Sequence, residues 1–214
     1  MIKRIAPFFL LFVLLLYGFQ EVNKTSNYYF KEPFRFPKKI KNKYNPVTKE
    51  GALLGKHLFY DPILSKDSTI SCVSCHKQEF AFADNTQFSE GINKSKMKRN
   101  TLPLFNLEWS SNFFWDGRVS NIEKQVFIPV KAHDEMNLNW QEAEERINTN
   151  KLYKKLFKNA FGNIRIDSFL ISKAIGQFER TLVSNHSKYD QVVLGEDEFS
   201  EKELNGFILM NDQS

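Results

Sequence analysis

The chain has 214 residues, of which 42% are hydrophobic and 26% charged, and a formal charge of +5. That length suits one domain with appendages. The basic excess is mild, so nothing in the composition calls for a nucleic-acid partner.

Lys3 and Arg4 precede an apolar run from Ile5 to Phe19. The run is short of the roughly 20 residues a membrane span needs and suits the core of a signal peptide. Residues 1–20 are therefore expected to be a signal peptide or an uncleaved N-terminal anchor, with the rest of the chain in the periplasm. Residues 21–45 are polar, rich in Lys and Asn and broken by Pro33 and Pro37, which predicts a linker. Thr48 can cap a helix running through Leu53, Leu54 and Leu58, stopped at Asp61-Pro62 because a residue before proline avoids helical angles.

Cys72-Val73-Ser74-Cys75-His76 follows, and its cysteines are the only two in the chain. C-x-x-C-H is the spacing of c-type haem attachment. Two intervening residues let both sulfurs reach one macrocycle from one turn of chain, and the next residue falls under the iron. A zinc site would want four ligands, and there is no second C-x-x-C; His57, His133 and His186 stand alone. His76 is the expected proximal ligand, its other ring nitrogen donating to a backbone carbonyl.

Residues 77–113 lack periodicity and are rich in Asn, Ser and Lys. They predict a long loop of the kind that covers a cofactor. Ser120 with Glu123, Asn139 with Glu142 and Ser200 with Glu203 are spaced as capping boxes. Ile171, Ala174, Ile175, Phe178 and Leu182 form one apolar stripe, predicting a core helix from about Asp167 to Val183. The fold class is all-α: a cytochrome c-like haem domain with long loops and extra helices. Some of the 21 Phe should line the haem, and most should be core.

Several blocks, in order, carry a resemblance. They are Leu54-Gly55-Lys56-His57-Leu58-Phe59-Tyr60-Asp61-Pro62, the haem motif, Arg99-Asn100, Phe114-Trp115-Asp116-Gly117-Arg118, Glu123-Lys124-Gln125, Glu135-Met136 and Phe178-Glu179-Arg180-Thr181-Leu182. Over about residues 44–209 the chain resembles the N-terminal haem domain of bacterial dihaem cytochrome c peroxidases. It also resembles the related dihaem enzymes that mature a tryptophan-derived quinone cofactor.

The resemblance implies one covalent haem c on Cys72 and Cys75, with His76 on the iron and hydrogen peroxide as substrate. It implies Glu135 and Gln125 as the distal acid–base pair, Trp115 as an electron relay, and calcium held in part by Asn100 at a domain junction. Arg118 would pair with a haem propionate or with Asp116. A small cytochrome or cupredoxin would supply electrons through a second haem. The expected division is a linker at 21–45, a peroxidatic haem domain at 46–205, and the start of a second haem domain at 206–214.

Two departures from the family pattern shape the expectation. The chain stops at Ser214 before a second C-x-x-C-H, so a truncated gene, a partial sequence or half of a split system is expected, completed by a C-terminal haem domain or paired as a homodimer. The segment Glu90 to Lys98 holds no histidine, which favours an iron open on one side. The alternatives are a monohaem electron carrier, with Met97, Met136 or Met210 as sixth ligand, and a non-functional fragment. Phe113 and Phe114 are expected to join Trp115 on an exposed apolar surface.

Overall fold

The computed structural model describes residues 25–28, 32–34, 36–38 and 42–212; the expected signal peptide lies outside them. The described residues are helical, with isolated bridges in place of strands. Eight α-helices follow in order: α1 Lys49–Tyr60, α2 Cys72–Cys75, α3 Ile122–Lys131, α4 Trp140–Thr149, α5 Lys151–Phe161, α6 Ser168–Arg180, α7 Lys188–Leu194 and α8 Glu201–Asn211.

Helix α1 begins and ends where its sequence dictates. Thr48 Oγ1 accepts from the Gly51 amide at 3.0 Å, Glu50 sits in the first turn, and Asp61 is extended ahead of Pro62. The Asp61 carboxylate then caps the next turn through the Ile63 amide and accepts from the Tyr153 hydroxyl at 2.8 Å, tying that corner to α5.

Helices α1 and α6 cross at the centre of the core. Leu54, Leu58 and Phe59 of α1 meet Ile171, Ala174, Ile175 and Phe178 of α6, all buried. The approach is close enough to require glycine, since a Cβ on Gly55 would lie 1.9 Å from the Ala174 carbonyl oxygen. Helix α3 adds Val126 and Val130, α4 adds Ala143 and Ile147, and α5 adds Tyr153 and Phe157.

Several boundaries differ from the sequence reading. Helix α3 is capped by Asn121, whose side chain accepts from the Lys124 amide; Ser120 is not its cap. Glu123 is free of capping duty because it pairs with Arg180. Asn139 caps α4 alone, through the Gln141 amide, whereas Ser200 and Glu203 form the expected reciprocal box. Helix α6 starts where expected, with Asp167 as its cap, but ends at Arg180 and not near Val183. Thr181 turns back onto the Phe178 carbonyl, and Asn106 draws residues 182–184 away with three hydrogen bonds. Helices α5 and α7, capped by Asn150 and Ser187, were not separately foreseen. Phe113 is buried at 9% exposure, contrary to the expected exposed surface; its amide bonds to the Val119 carbonyl, which turns the ring inward.

A buried ion network joins α3, α6 and the loop that precedes α3. Arg180 reaches the Glu123 carboxylate with two nitrogens, at 2.7 and 3.1 Å, and Glu108 with its Nε at 3.2 Å. Asn45 and Asn42 donate to the same Glu123 oxygen at 2.7 and 3.3 Å. All three charged side chains are at most 7% exposed. Burial opposes the charge on Glu123, but Arg180 outweighs it and holds the carboxyl below its ordinary range.

Helices α7 and α8 form a satellite. Neither buries a residue, and Tyr189, Phe199 and Phe207 stack on one another. Leu204, Ile208, Leu209 and Met210 of α8 are exposed. The boundary expected at residue 205 falls inside α8.

Candidate functional site

Helix α2 is a single turn, so Cys72 and Cys75 stand on one face with His76 at its end; the His76 amide bonds to the Cys72 carbonyl at 3.0 Å. Ser71 opens the turn, its amide donating to Ser74 Oγ. Both thiols are free. Burial pushes the Cys72 and Cys75 thiols up and the His76 imidazole down, so all three favour their neutral forms.

His76 is aimed by the loop behind it. Ala81 and Phe82 both take left-handed backbone angles, with φ of 56° and 57°, a conformation that costs L-residues energy. The turn this makes brings the Phe82 carbonyl to 2.8 Å from His76 Nδ1. Nδ1 must then carry the proton, leaving Nε2 as the ligand atom. Lys77 closes the loop by accepting from the Phe82 amide and donating to the Ala83 carbonyl, and by an ion pair to Asp84 at 2.8 Å. Burial raises the Asp84 pKa, but hydrogen bonds from Lys77, Ser89, Thr86 and the Asn85 amide overcome it and hold the group at about 2.

Opposite this loop, α3 contains Pro129. Proline has no amide proton, so the Gln125 carbonyl loses its helical partner there. Past α3 the chain doubles back: the Met136 amide bonds to the Pro129 carbonyl and the Leu138 amide to the Val130 carbonyl, with Asn137 at φ 50°. This hook carries Glu135 over the α3 face. The loop at Gly91 clamps it, the Ile92 amide donating to the Glu135 carbonyl at 2.9 Å. A Cβ on Gly91 would lie 2.0 Å from the Asp134 carbonyl oxygen, so only glycine fits.

These pieces frame one partly open cavity. Cys72, Cys75, His76, Gln125 and Glu135 all line it, among Phe59, Ile70, Leu104, Val126, Pro129, Val130, Met136 and Ile175. Two neutral thiols, an imidazole and apolar walls are what a covalently attached haem requires. Burial, reinforced by Asp134 and opposed by Arg118, raises Glu135 to about 7. A carboxyl there both takes and gives protons near neutral pH.

An outer cleft shares Cys75, His76, Gln125 and Glu135 with the cavity and is also lined by Arg99, Asn100, Trp115 and Arg118. Trp115 is 58% exposed, and its Nε1 donates to the Asn100 carbonyl at 2.8 Å. It rides on a turn in which Phe114 and Gly117 have positive φ. Of the two partners expected for Arg118, the structure shows Asp116, at 2.9 and 3.0 Å, and the guanidinium stacks 3.7 Å above the Phe114 ring. Asn100 is exposed, its amide donating to the Thr86 and Gln87 carbonyls. No group of three or more His, Cys, Asp or Glu able to hold a metal ion occurs among the described residues. Met136 is buried in the cavity wall, Met97 lines the outer cleft and Met210 is 89% exposed.

The sequence reading gave no role to Glu179, which also lines the cavity at 4% exposure. Its signal was present. Glu179 stands four residues past Ile175 and eight past Ile171, a carboxylate on the apolar stripe itself.

A helical shell folded around a C-x-x-C-H cavity defines a c-type cytochrome domain. The sequence profile described as di-haem cytochrome c peroxidase matches residues 49–198, and the chain belongs to that family. It is 37% identical over 169 residues to the methylamine utilization protein MauG of Methylorubrum extorquens, covering 78% of this chain and 48% of that one. It is 34% identical over 165 residues to cytochrome c551 peroxidase of Nitrosomonas europaea, covering 77% and 49%. Among solved structures, a MauG-like protein associated with microbial copper homeostasis superposes with a TM-score of 0.80 at 30% identity, covering 86% of this chain and 55% of that one. The chain thus spans about half the length of these relatives.

Proposed function

We propose that this chain is the peroxide-handling haem domain of a dihaem-type peroxidase. One observation carries the reading: the attachment thiols, the ligand imidazole and the pair Gln125 and Glu135 open onto a single cavity. A haem c attached to Cys72 and Cys75 and ligated by His76 Nε2 supplies the iron at which peroxide is reduced. Gln125 orients the peroxide by hydrogen bonding. Glu135 takes a proton from one peroxide oxygen and returns it to the other, so that hydrogen peroxide, two electrons and two protons become two waters. Trp115, exposed at the edge of the outer cleft that shares His76 and Glu135 with the cavity, would relay electrons inward from a partner seated over that cleft.

The electrons come from a small cytochrome or cupredoxin, delivered through a second haem domain. The exposed apolar residues of α8 fit such a neighbour; homodimerisation through the same face is the other arrangement. A calcium ion at Asn100 would take its remaining oxygen ligands from that neighbour. The chain works in the periplasm, delivered by the signal or anchor at residues 1–20.

The first test is covalent haem. Chain co-expressed with cytochrome c maturation machinery should retain haem through a denaturing gel, and Cys72→Ser with Cys75→Ser should lose it. A haem-positive double variant would end the reading. Electron paramagnetic resonance of the ferric protein separates the alternatives: a high-spin signal fits a peroxidatic site, and a purely low-spin signal at neutral pH would favour an electron carrier closed by Met136.

A further inference from the structure

Helix α6 sends two adjacent charged residues into opposite environments. Arg180 enters the ion network with Glu123 and Glu108. Glu179 turns instead into the cavity that holds Cys72, Cys75 and His76. Its Oε2 is the one buried side-chain polar atom among the described residues that lacks a hydrogen-bond partner. Such an atom is costly to keep and calls for a reason. The peroxide chemistry does not supply one, because Gln125 and Glu135 come from α3 and its following hook. Neither of the two cavity carboxyls is among the charges that act on the other.

We propose that Glu179 is a redox-linked proton site: when the haem iron gains an electron, Glu179 gains a proton at Oε2. The inference rests on the haem reading given above. In balance, ferric haem with Glu179 carboxylate takes one electron from an external one-electron donor and one proton from solvent, giving ferrous haem with the neutral carboxylic acid. The reason is electrostatic. An added electron repels a carboxylate enclosed in the same low-dielectric cavity, and a proton removes that repulsion.

The groups around Glu179 leave it free to respond. From its own helix comes Arg180, which favours the charged form but is committed to Glu123 and Glu108. From α3 comes Glu123, which disfavours the charged form. From α2 comes Cys72, which no longer titrates once it is a thioether. His76 is held as ligand, Glu135 lies elsewhere on the cavity wall, and the walls from α1 and α6 are Phe59 and Ile175. Burial, the largest influence, lifts the Glu179 carboxyl to about 8, within reach of neutral pH.

The test is a potentiometric titration of the haem-loaded chain from about pH 6 to about pH 9. The potential should fall toward about 59 mV per pH unit where one proton accompanies one electron. Glu135→Gln should keep a sloping region and Glu179→Gln should flatten it. Redox-difference infrared spectra supply a readout independent of both potential and turnover. A carboxylic acid C=O band should appear on reduction in the wild type and in Glu135→Gln, and be missing from Glu179→Gln. An identical potential–pH curve in Glu179→Gln, or no carboxyl band on reduction of the wild type, overturns the proposal. Should Glu179→Gln fail to fold, the wild-type infrared result decides alone. Absence of covalent haem would overturn the functional reading and this proposal together; haem present with no carboxyl response overturns this proposal only.

Discussion

Arg180→Met should unfold this protein far more readily than its single lost charge suggests. The guanidinium is the shared counter-ion of Glu123 and Glu108, and all three charged side chains are at most 7% exposed. Removing it deprives two buried carboxylates of their shared counter-ion, while Glu123 keeps Asn42 and Asn45 as donors. Breaking a buried pair by deleting one partner costs about 3–5 kcal/mol. At roughly 2–4 °C per kcal/mol for a domain of this size, Tm should drop by about 6–20 °C. The assay is thermal denaturation of the haem-loaded chain, followed by circular dichroism and by haem absorbance.

The pH dependence of the loss follows from the signs. In the wild type Glu123 lies below its unfolded pKa, so its stabilisation is present above that value and is lost as pH falls through the lower folded one. In Arg180→Met the stranded carboxyls should lie above their unfolded values and gain by protonation. The gap between the two proteins should therefore narrow from pH 7 toward about pH 4. A loss below about 1 kcal/mol, the worth of an exposed pair, or a gap that widens in acid, would refute the argument.

Glu135→Gln should slow the reaction of the haem-loaded chain with peroxide by about 10²–10⁴, measured by stopped flow; wild-type speed would make Glu135 a bystander. Gly91→Ala should push the Asp134–Glu135 turn outward, because its Cβ would sit 2.0 Å from a carbonyl oxygen. It should cost about 1–3 kcal/mol and slow the peroxide step while leaving covalent haem intact, as read by denaturant melts and stopped flow together. Trp115→Phe should leave the peroxide reaction of the isolated chain unchanged and slow its re-reduction by a donor, because Trp115 lies at the exposed edge of the outer cleft and not in the cavity.

The helices that place the site were legible because their signals are local. Thr48, Asp61-Pro62 and Asp167 each fix a helix end through their own side chain or ring, and the stripe on α6 follows from its spacing. The resemblance brought Gln125 and Glu135 forward, and the cavity unites them. What escaped was set by contacts that carry no local signal. The expected Ser120–Glu123 box does not form, because Arg180, 57 residues on, draws Glu123 into the interior and Asn121 caps the helix instead. The sequence groups Phe113 with Trp115 on an outer surface, but a bridge to Val119, short in sequence and without a periodic signal, turns it inward. Glu179 was overlooked because its neighbours Phe178, Arg180 and Thr181 share a family block, and a block does not say which way each side chain points.

The crossing of α1 and α6 also sets an order of events. The haem motif lies between these helices in the chain, and Asn45 and Thr48 bond to Gln177, about 130 residues later. The wall formed by Ile175 and Glu179 therefore cannot exist until some hundred residues beyond Cys72 have emerged. Contacts this distant are slow to form, so Cys72, Cys75 and His76 are synthesised well before the wall that covers them can form. In the proposed reading that interval is the open window for the maturation machinery: once α6 docks, Cys72 packs against the core and Cys75 is half-buried at the mouth of the outer cleft.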